Sequence, residues 1–590
     1  MIYRIYSSLP TFKELEFHPG LNVLLAEKSA GATELQTRNR AGKTSFVELI
    51  HFLTGSDVRK DSLFKAESLL EYWFGIEFDL ASDRTQVERS GQSPSRIKIL
   101  EGNPDAWPIR PVVGDNDQAN WFISNTHWKI ILGASLFELF PDDEADRKKF
   151  RPTFRSLFAY FVRRQSGGGF IDPVKQAKEQ RLGDQQVALS YLLGFDWTIS
   201  QEWEMLRRKE KTLKQLRRAA KEGGFLESII GTTAELRSEL AVAGERVRRL
   251  KQELGEFRVL PEYNALEIEA SQLAQRLGIL ANENTMDYHL VAEMERALAE
   301  EIAPPLNDLE YLYREAGIVL PNTVTRRFEE VRTFHESVVK NRRSYLEGEI
   351  NAARHRMAER SRLKRQSADR QTQIMAILES HGALDQFMQL QSELTRLEAE
   401  TEAIRQRFQA AEQMERLKTE LDIGRNQLLM RLRQDLRERD DAVRKAILYF
   451  EEVSQALYEE AGRLTIKDSL NGPQFEIRIQ GAKSKGITNM QIFCLDMMLM
   501  KINCERGIGP GFLIHDSHLF DGVDERQIAR ALQVGAELAH DLNFQYIVTM
   551  NSDVLPRNYY SNNFSIENHI LPVRLTDAIE DGGLFGFRFD

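Results

Sequence analysis

Between Trp197 and about Phe450 the chain is dominated by Glu, Lys, Arg, Gln, Leu and Ala, while Gly and Pro retreat to a few places. Within that stretch Phe387, Leu390, Leu394, Leu397, Thr401, Ile404, Phe408 and Ala411 step by threes and fours, the spacing of a heptad seam. Leu236, Leu240, Val247, Leu250, Leu254 and Phe257 repeat the pattern earlier in the chain. A globular helical domain would carry more aromatic and β-branched residues, so the composition favours long helices paired along a narrow stripe. The seam is interrupted at Gly223-Gly224, around Pro261, at Pro304-Pro305, from Gly317 to Pro321 and near Gly382. Gly317 to Asn322 lies close to the midpoint, and a chain that folds back there runs as two antiparallel arms. At about 1.5 Å per residue, arms of roughly 120 residues would reach about 150 Å if unbroken. Such a hairpin brings residues 451–590 back to residues 1–196. Any globular domain is then assembled from the two ends of the chain.

Each end carries parts that need the other. Leu21-Asn22-Val23-Leu24-Leu25-Ala26 is a short apolar run that reads as a buried strand, and Ser45 to Leu53 places Phe46, Leu49, Ile50 and Leu53 at helical spacing. Between them stands Asn39-Arg40-Ala41-Gly42-Lys43-Thr44, followed by Ser45. Strand, loop, Gly-Lys-Thr and helix are the parts of a phosphate cradle. Backbone N–H groups hold the phosphates, the Lys43 ammonium meets the β/γ charge, and the Thr44 hydroxyl reaches Mg²⁺. The plainer alternative is an ordinary helix N-terminus with a solvated lysine. Thr37 and Arg40 stand where such loops carry glycine, and Glu27 to Gln36 lengthens the loop. In the C-terminal part, Phe512-Leu513-Ile514-His515-Asp516 is an apolar strand ending in a carboxylate that can hold the Mg²⁺. Gly481 to Asn489 is a glycine- and hydroxyl-rich loop opening into an apolar helix, Met490 to Ile502, and Ser484-Lys485-Gly486 supplies N–H groups for a γ-phosphate. Gln545 to Thr549 is a further buried strand, followed by a polar turn from Met550 to Asp553.

The N-terminal part reads as mixed α and β. Phe74 to Leu80 alternates as a half-buried strand with Thr85 to Arg89 as its partner, and Trp121 to Leu139 reads as a helix. Arg147, Lys148, Lys149, Arg151 and Arg155 form the densest basic cluster, either a contact for DNA or a partner, or a solvated helix face. The apolar segment Ser156 to Val162 runs into Arg163-Arg164-Gln165-Ser166 and three glycines, a loop beside a rigid element. Across 590 residues the net charge is −10, so no overall basic field advertises a polyanion. Two cysteines, Cys494 and Cys504, exclude a disulfide framework and a cysteine-based zinc site within one chain. With no basic-then-apolar leader and no run of eighteen apolar residues, the expectation is a soluble cytoplasmic protein.

Taken jointly, RNRAGKTSFVELIHFLTG, SLFAYFVRRQSGGG, GIVLPNTVTRRFEEV, KSKGITNMQIFCLDMMLM and IHDSHLFDGVDERQ resemble the SMC/RecN type of ABC ATPase. More closely, they resemble the SMC-like ATPases of bacterial three-component ABC systems, the Lamassu-like assemblies placed in antiphage defence. The resemblance implies an α/β ABC-type ATPase head built from the N- and C-terminal parts, split by a long antiparallel coiled-coil hairpin. It implies ATP and Mg²⁺ as cofactors, with Lys43 and Thr44 on phosphates and metal, Asp516 on the metal, and Gln165 sensing the metal and the attacking water. Ser484 and Gly486 would cap the γ-phosphate bound by a second copy, Asp521 would join the two sites, and Asn551 takes the place of a switch histidine. Further implied partners are subunits that include a nuclease effector, and DNA as the trigger. Ser517 stands where the family carries the glutamate that acts as general base, so ATP binding is better supported than fast hydrolysis. Glu525 and His515 are spare candidates for the base. A RecN-type repair ATPase, and a structural coiled-coil scaffold with a degenerate nucleotide site, are the rival readings.

Overall fold

The computed structural model describes residues 1–27, 42–60, 62–80, 82–113, 121–141, 149–222, 232–256, 264–300, 322–378, 384–458, 461–478, 484–576 and 581–587; for 113, 216–222, 264, 300, 322–342, 378, 384 and 385 it describes the backbone. Two compact units emerge. One draws on Met1–Leu206 and Arg425–Asp590, the other on Arg207–Leu306 and Val331–Gly424.

The first unit opens with β1 (Ile2–Ser7), β2 (Leu15–Glu16), β3 (Gly20–Glu27) and α1 (Lys43–Leu53). It continues with β4 (Trp73–Leu80), β5 (Asp83–Ser90), β6 (Arg96–Glu101), β7 (Val112–Val113) and β8 (Trp121–Ser124). Helices α2 (Asn125–Phe137), α3 (Phe154–Phe158) and α4 (Leu182–Leu192) follow. A seven-stranded sheet runs in the order β2-β1-β4-β5-β6-β8-β7. Alternation in β4 does put Phe74, Ile76, Phe78 and Leu80 into the core, and the pairing with β5 is antiparallel, Phe78 opposite Thr85 and Phe74 opposite Arg89. The helix expected from Trp121 begins later. Trp121–Ser124 is a strand, Ile123 facing Ile97 across the ladder, and Ser124 then accepts the His127 N–H at 3.2 Å as the cap of α2.

Helices α5 (Trp197–Glu222), α6 (Thr233–Glu256), α7 (Asn264–Glu300), α8 (Asn322–Leu378) and α9 (Leu384–Glu438) carry the middle of the chain. In the second unit the partners run in opposite directions. Thr233, Glu239 and Lys251 of α6 meet Glu415, Arg407 and Glu398 of α9, while Glu269, Asp287 and Glu295 of α7 meet Arg370, Arg356 and Arg354 of α8. Apart from the pair of the buried Asp287, these pairs are exposed; such pairs add little each, about 0–1 kcal/mol, and set register more than stability. Apolar contact supplies the seam: Val291 and Met294 pack with Ile350 and Ala353, and Phe387, Leu394 and Thr401 are buried along α9 as the heptad spacing requires. The expected interruptions at Gly223-Gly224, Pro261, Pro304-Pro305, Gly317 to Pro321 and Gly382 all lie outside the described residues.

The chain re-enters the first unit within α9 and continues there with α10 (Asp440–Leu457) and the hairpin β9 (Arg463–Ser469) and β10 (Gly472–Arg478). After α11 (Lys485–Glu505) come β11 (Phe512–His515), α12 (Glu525–Asp541), β12 (Gln545–Asn551) and β13 (Leu575–Thr576). The loop expected to run to Asn489 is shorter, because α11 already starts at Lys485; the strand expected to end at Thr549 extends to Asn551. A parallel four-stranded sheet in the order β11-β12-β3-β13 joins the two chain ends, with Val548 opposite Val23 and Leu575 opposite Ala26. Burial on both faces explains why β3, β11 and β12 read as unbroken apolar runs. The buried Gln545 side chain seals the seam, accepting the Ile2 N–H and donating to the Ile2 carbonyl, both at 2.9 Å.

Candidate nucleotide site

Lys43, Asp516 and Asn551 stand at the carboxyl ends of three adjacent parallel strands or just beyond them, the edge at which open α/β sheets bind ligands. Asn39, Arg40 and Ala41 lie outside the described residues, as does the lengthened loop after Glu27. The described chain resumes at Gly42, whose φ of +90° is left-handed and where a Cβ would sit 2.9 Å from that of Leu584. Both restrictions call for glycine. Lys43 is then the first residue of α1 and only 7 % exposed, and its ammonium donates to the Asn551 side-chain oxygen. Thr44 and Ser45 sit half-buried on the same first turn, where backbone N–H groups lack helical acceptors.

Asp516 follows β11 and is 1 % exposed. Its Oδ1 accepts from the Ser517 hydroxyl at 3.0 Å and from Thr549 Oγ1 at 3.3 Å, whereas its Oδ2 is buried with no partner. An orphaned carboxylate oxygen in the interior is costly unless a cation completes it. Together with the Thr44 hydroxyl it offers the oxygen donors a Mg²⁺ ion prefers. Ser517 is half-buried and donates toward Asp516, so it brings no proton acceptor to its position. His515 is no base for this site. It is fully buried on the inner side of β11, its Nε2 3.2 Å from Asp496 and its Nδ1 3.0 Å from the Tyr546 hydroxyl, and burial lowers its pKa. Glu525 is exposed in the first turn of α12.

Gln165 is exposed on a loop that leaves the same sheet edge. Val162 bridges to Ile514 in parallel, and the Ile514 N–H donates to the Phe161 carbonyl at 2.9 Å, so the loop starts beside the strand that ends at Asp516. Both neighbours of Gln165 are tied to α1: Arg164 Nε and Ser166 Oγ donate to Glu48 Oε1 at 3.0 and 2.9 Å. Beneath them lies a pair that sequence reasoning missed. Arg163, wholly buried, holds Asp496 of α11 through two bonds of 2.6 and 2.7 Å and donates to the carbonyls of Gly169, Pro173 and Lys175. The signal was a charge inside each of two apolar runs, YFVRR and FCLDMM.

Ser484 caps α11 without a side-chain bond, and a Cβ on Gly486 would collide with the Gly522 carbonyl oxygen. Asn489 donates to the carbonyls of His518 and Asp521, each at 3.0 Å, and Lys485 meets Asp521 at 3.1 Å. The start of α11 and the turn carrying Asp521 therefore form one piece, joined to Asp516 by the short 3₁₀ turn Ser517–Phe520. Arg155 departs from the expected basic surface: it is half-buried against His51. Arg147 and Lys148 lie outside the described residues.

Residues 289–415 match the family model of C-terminal domain 10 of the ABC-three component (ABC-3C) systems, and residues 453–589 match a model described as an uncharacterised protein conserved in bacteria, DUF2326. The uncharacterized protein YydD of Bacillus subtilis (strain 168) is 20 % identical over 575 residues, covering 93 % of each chain. Among solved structures, an Smc head domain with a coiled coil and joint from Pyrococcus yayanosii aligns over 99 % of this chain and 96 % of its own, at 14 % identity and a TM-score of 0.35. An Smc head domain with an extended coiled coil bound to the C-terminal domain of ScpA, from Pyrococcus furiosus, aligns over 94 % and 90 %, at 12 % identity and a TM-score of 0.30. Among the described residues no helix is long and apolar enough to cross a membrane.

Proposed function

We propose that the protein is an SMC-like ATP-binding clamp whose heads pair on ATP and whose paired helices form one antiparallel coiled-coil hairpin. The observation that carries this is the partnerless Oδ2 of Asp516, held at the sheet edge where Lys43 opens α1. In this reading Lys43 binds the β/γ-phosphates, Thr44 and Asp516 hold Mg²⁺, and Gln165 reaches the metal from the loop tied to Glu48. Mg²⁺, when bound, neutralises charge on the phosphate oxygens. Asn551 holds the Lys43 ammonium in place. Ser484 and Gly486 cap the γ-phosphate of a second copy, and Asp521, fixed to the same helix start, links the two sites. With Ser517 donating rather than accepting, hydrolysis is slow and the ATP-bound pair persists as a timed signal.

The match over residues 289–415 supports a place in a three-component system rather than a solitary RecN-type repair role. There the protein, cytoplasmic and working with partner subunits, senses foreign or abnormal DNA and governs an effector in antiphage defence. Lys43→Ala tests the core of this reading. Mg-ATP binding, followed by titration calorimetry, should fall at least about a hundredfold with thermal stability kept, since among the described residues Lys43 is the cation that meets Asn551. ATP binding at wild-type strength would turn the reading toward a scaffold with a degenerate site.

A further inference from the structure

Behind the loop that carries Gln165 lies a cavity of about 480 Å³ that the nucleotide reading leaves unused. Its lining includes Arg155, Arg164, Arg181, His51 and the backbone of Gly167. That volume falls within the range of small-ligand pockets, about 300–1,000 Å³.

Arg155 is the unusual group. Its guanidinium is half-buried, lies over the Phe154 and Phe158 rings, and donates to His51 Nδ1 at 2.6 Å and to Thr54 Oγ1 at 3.4 Å. Among the described residues no carboxylate pairs with it. His51 cannot share the charge. Its Nε2–H donates to the Val162 carbonyl at 2.9 Å, which leaves Nδ1 as the acceptor for Arg155 and keeps the ring neutral. Burial first, and then the neighbouring Arg164, pushes Arg155 down to about 9, which still leaves it charged at neutral pH. Asp57 and Glu48 partly offset that push without pairing with Arg155, and a guanidinium with donors to spare beside a half-open, largely apolar space can take a further anion.

We infer that this cavity binds a small phosphomonoester, its phosphate on Arg155 and its neutral body against the remaining wall. The chemistry of the rim narrows the class. Glu179 and Asp184 also line the space and oppose a polyanion such as duplex DNA, while Asp57 is already neutralised by Lys129 at 2.7 Å. A compact dianion on an uncharged body brings far less negative charge past those carboxylates than a polyanion does. Arg164 is shared between the cavity and Glu48, and Gly167 accepts the Lys178 N–H at 2.9 Å. An occupant that draws Arg164 off Glu48 frees the loop holding Gln165. The cavity stands without the nucleotide reading; that consequence for Gln165 rests on it.

The test uses the full chain carrying Lys43→Ala, so that phosphate binding at the nucleotide site does not contribute. Inorganic phosphate, ribose 5-phosphate, AMP and phosphate-free ribose are titrated by calorimetry, with thermal shift alongside. Saturable binding of at least one phosphomonoester, absent for ribose, is expected. Arg155→Gln should weaken it about tenfold or more, Arg181→Glu by a smaller factor. If Arg155→Gln does not fold, Ala177→Leu, which fills the cavity, takes its place beside Arg181→Glu. Binding of inorganic phosphate alone overturns the assignment of a phosphomonoester. No saturable binding up to about 10 mM of any probe, or binding untouched by the folded variants, overturns the site.

Discussion

Two buried carboxylates flank β11, and they are built to opposite ends. Asp496, on α11, is wholly buried and saturated: Arg163 grips both its oxygens and His515 touches one. Asp516, at the strand's end, is as deeply buried, yet one oxygen has two hydroxyl donors and the other has none. The first is complete as folded and binds the Gln165 loop to the helix that starts at Ser484. The second is incomplete as folded. Burial alone therefore does not separate the two carboxylates; the unfilled hydrogen-bonding capacity does.

The difference predicts unequal consequences. Asp496→Ala leaves Arg163 uncompensated in the interior and should cost about 3–5 kcal/mol of stability, measured by denaturant unfolding. A loss below about 1 kcal/mol would make the pair dispensable and end the contrast. Asp516→Asn should do the reverse. Its unfolding midpoint should stay within about 1 kcal/mol of wild type or rise, while Mg-dependent nucleotide affinity drops about a hundredfold. A variant that unfolds yet still binds Mg-ATP would make Asp516 structural as well. Ser517→Glu adds an acceptor beside Asp516 and should raise ATP turnover about a hundredfold, the lower end of the roughly 10²–10⁴ that a general base contributes. An unchanged rate, with turnover abolished by Glu525→Gln instead, would relocate the base to α12.

The smallest effect concerns pH. His515 and His51 have folded pKa values lowered chiefly by burial. The unfolded chain therefore binds more protons below about 6.5, and the stability these rings contribute is full above that pH and lost as pH falls. The slope is at most about 1.4 kcal/mol per pH unit for each histidine. His515→Gln should flatten the stability curve between about pH 7 and 5; an unaltered curve would place the titration elsewhere.

The parallel strands were legible because burial on both faces writes an apolar run, and β4 with β5 because alternation survives in Phe74 to Leu80. The pairing of α6 with α9 was legible from the two heptad stretches, while the fold-back expected from Gly317 lies outside the described residues. Trp121–Ser124 misled because three apolar residues running into a helix share its hydropathy, and only Ser124 marks the boundary. Motif and order singled out Lys43, Asp516 and Asn551, which lie at one edge of the parallel sheet. The partners that hold them were not legible. Arg163 and Asp496 are 333 positions apart, and no local pattern announces that two charges in apolar runs will meet. His515 misled for the related reason that a strand's last residue can face inward.

The seam between β3 and its neighbours also dictates how the protein is born. β3 is flanked by β12 and β13, and the residue that seals Ile2 into place is 543 positions away. At about 5–20 residues per second the ribosome needs roughly half a minute to two minutes to deliver that partner. Throughout that time the apolar run from Leu21 to Ala26 has no sheet to join, a segment with the composition that favours aggregation. The helices of the middle, whose contacts pair nearer residues, are completed first. Chaperone dependence of the nascent chain, and the poor yield expected from separately expressed halves, are written into a sheet that cannot close until β12 has been made.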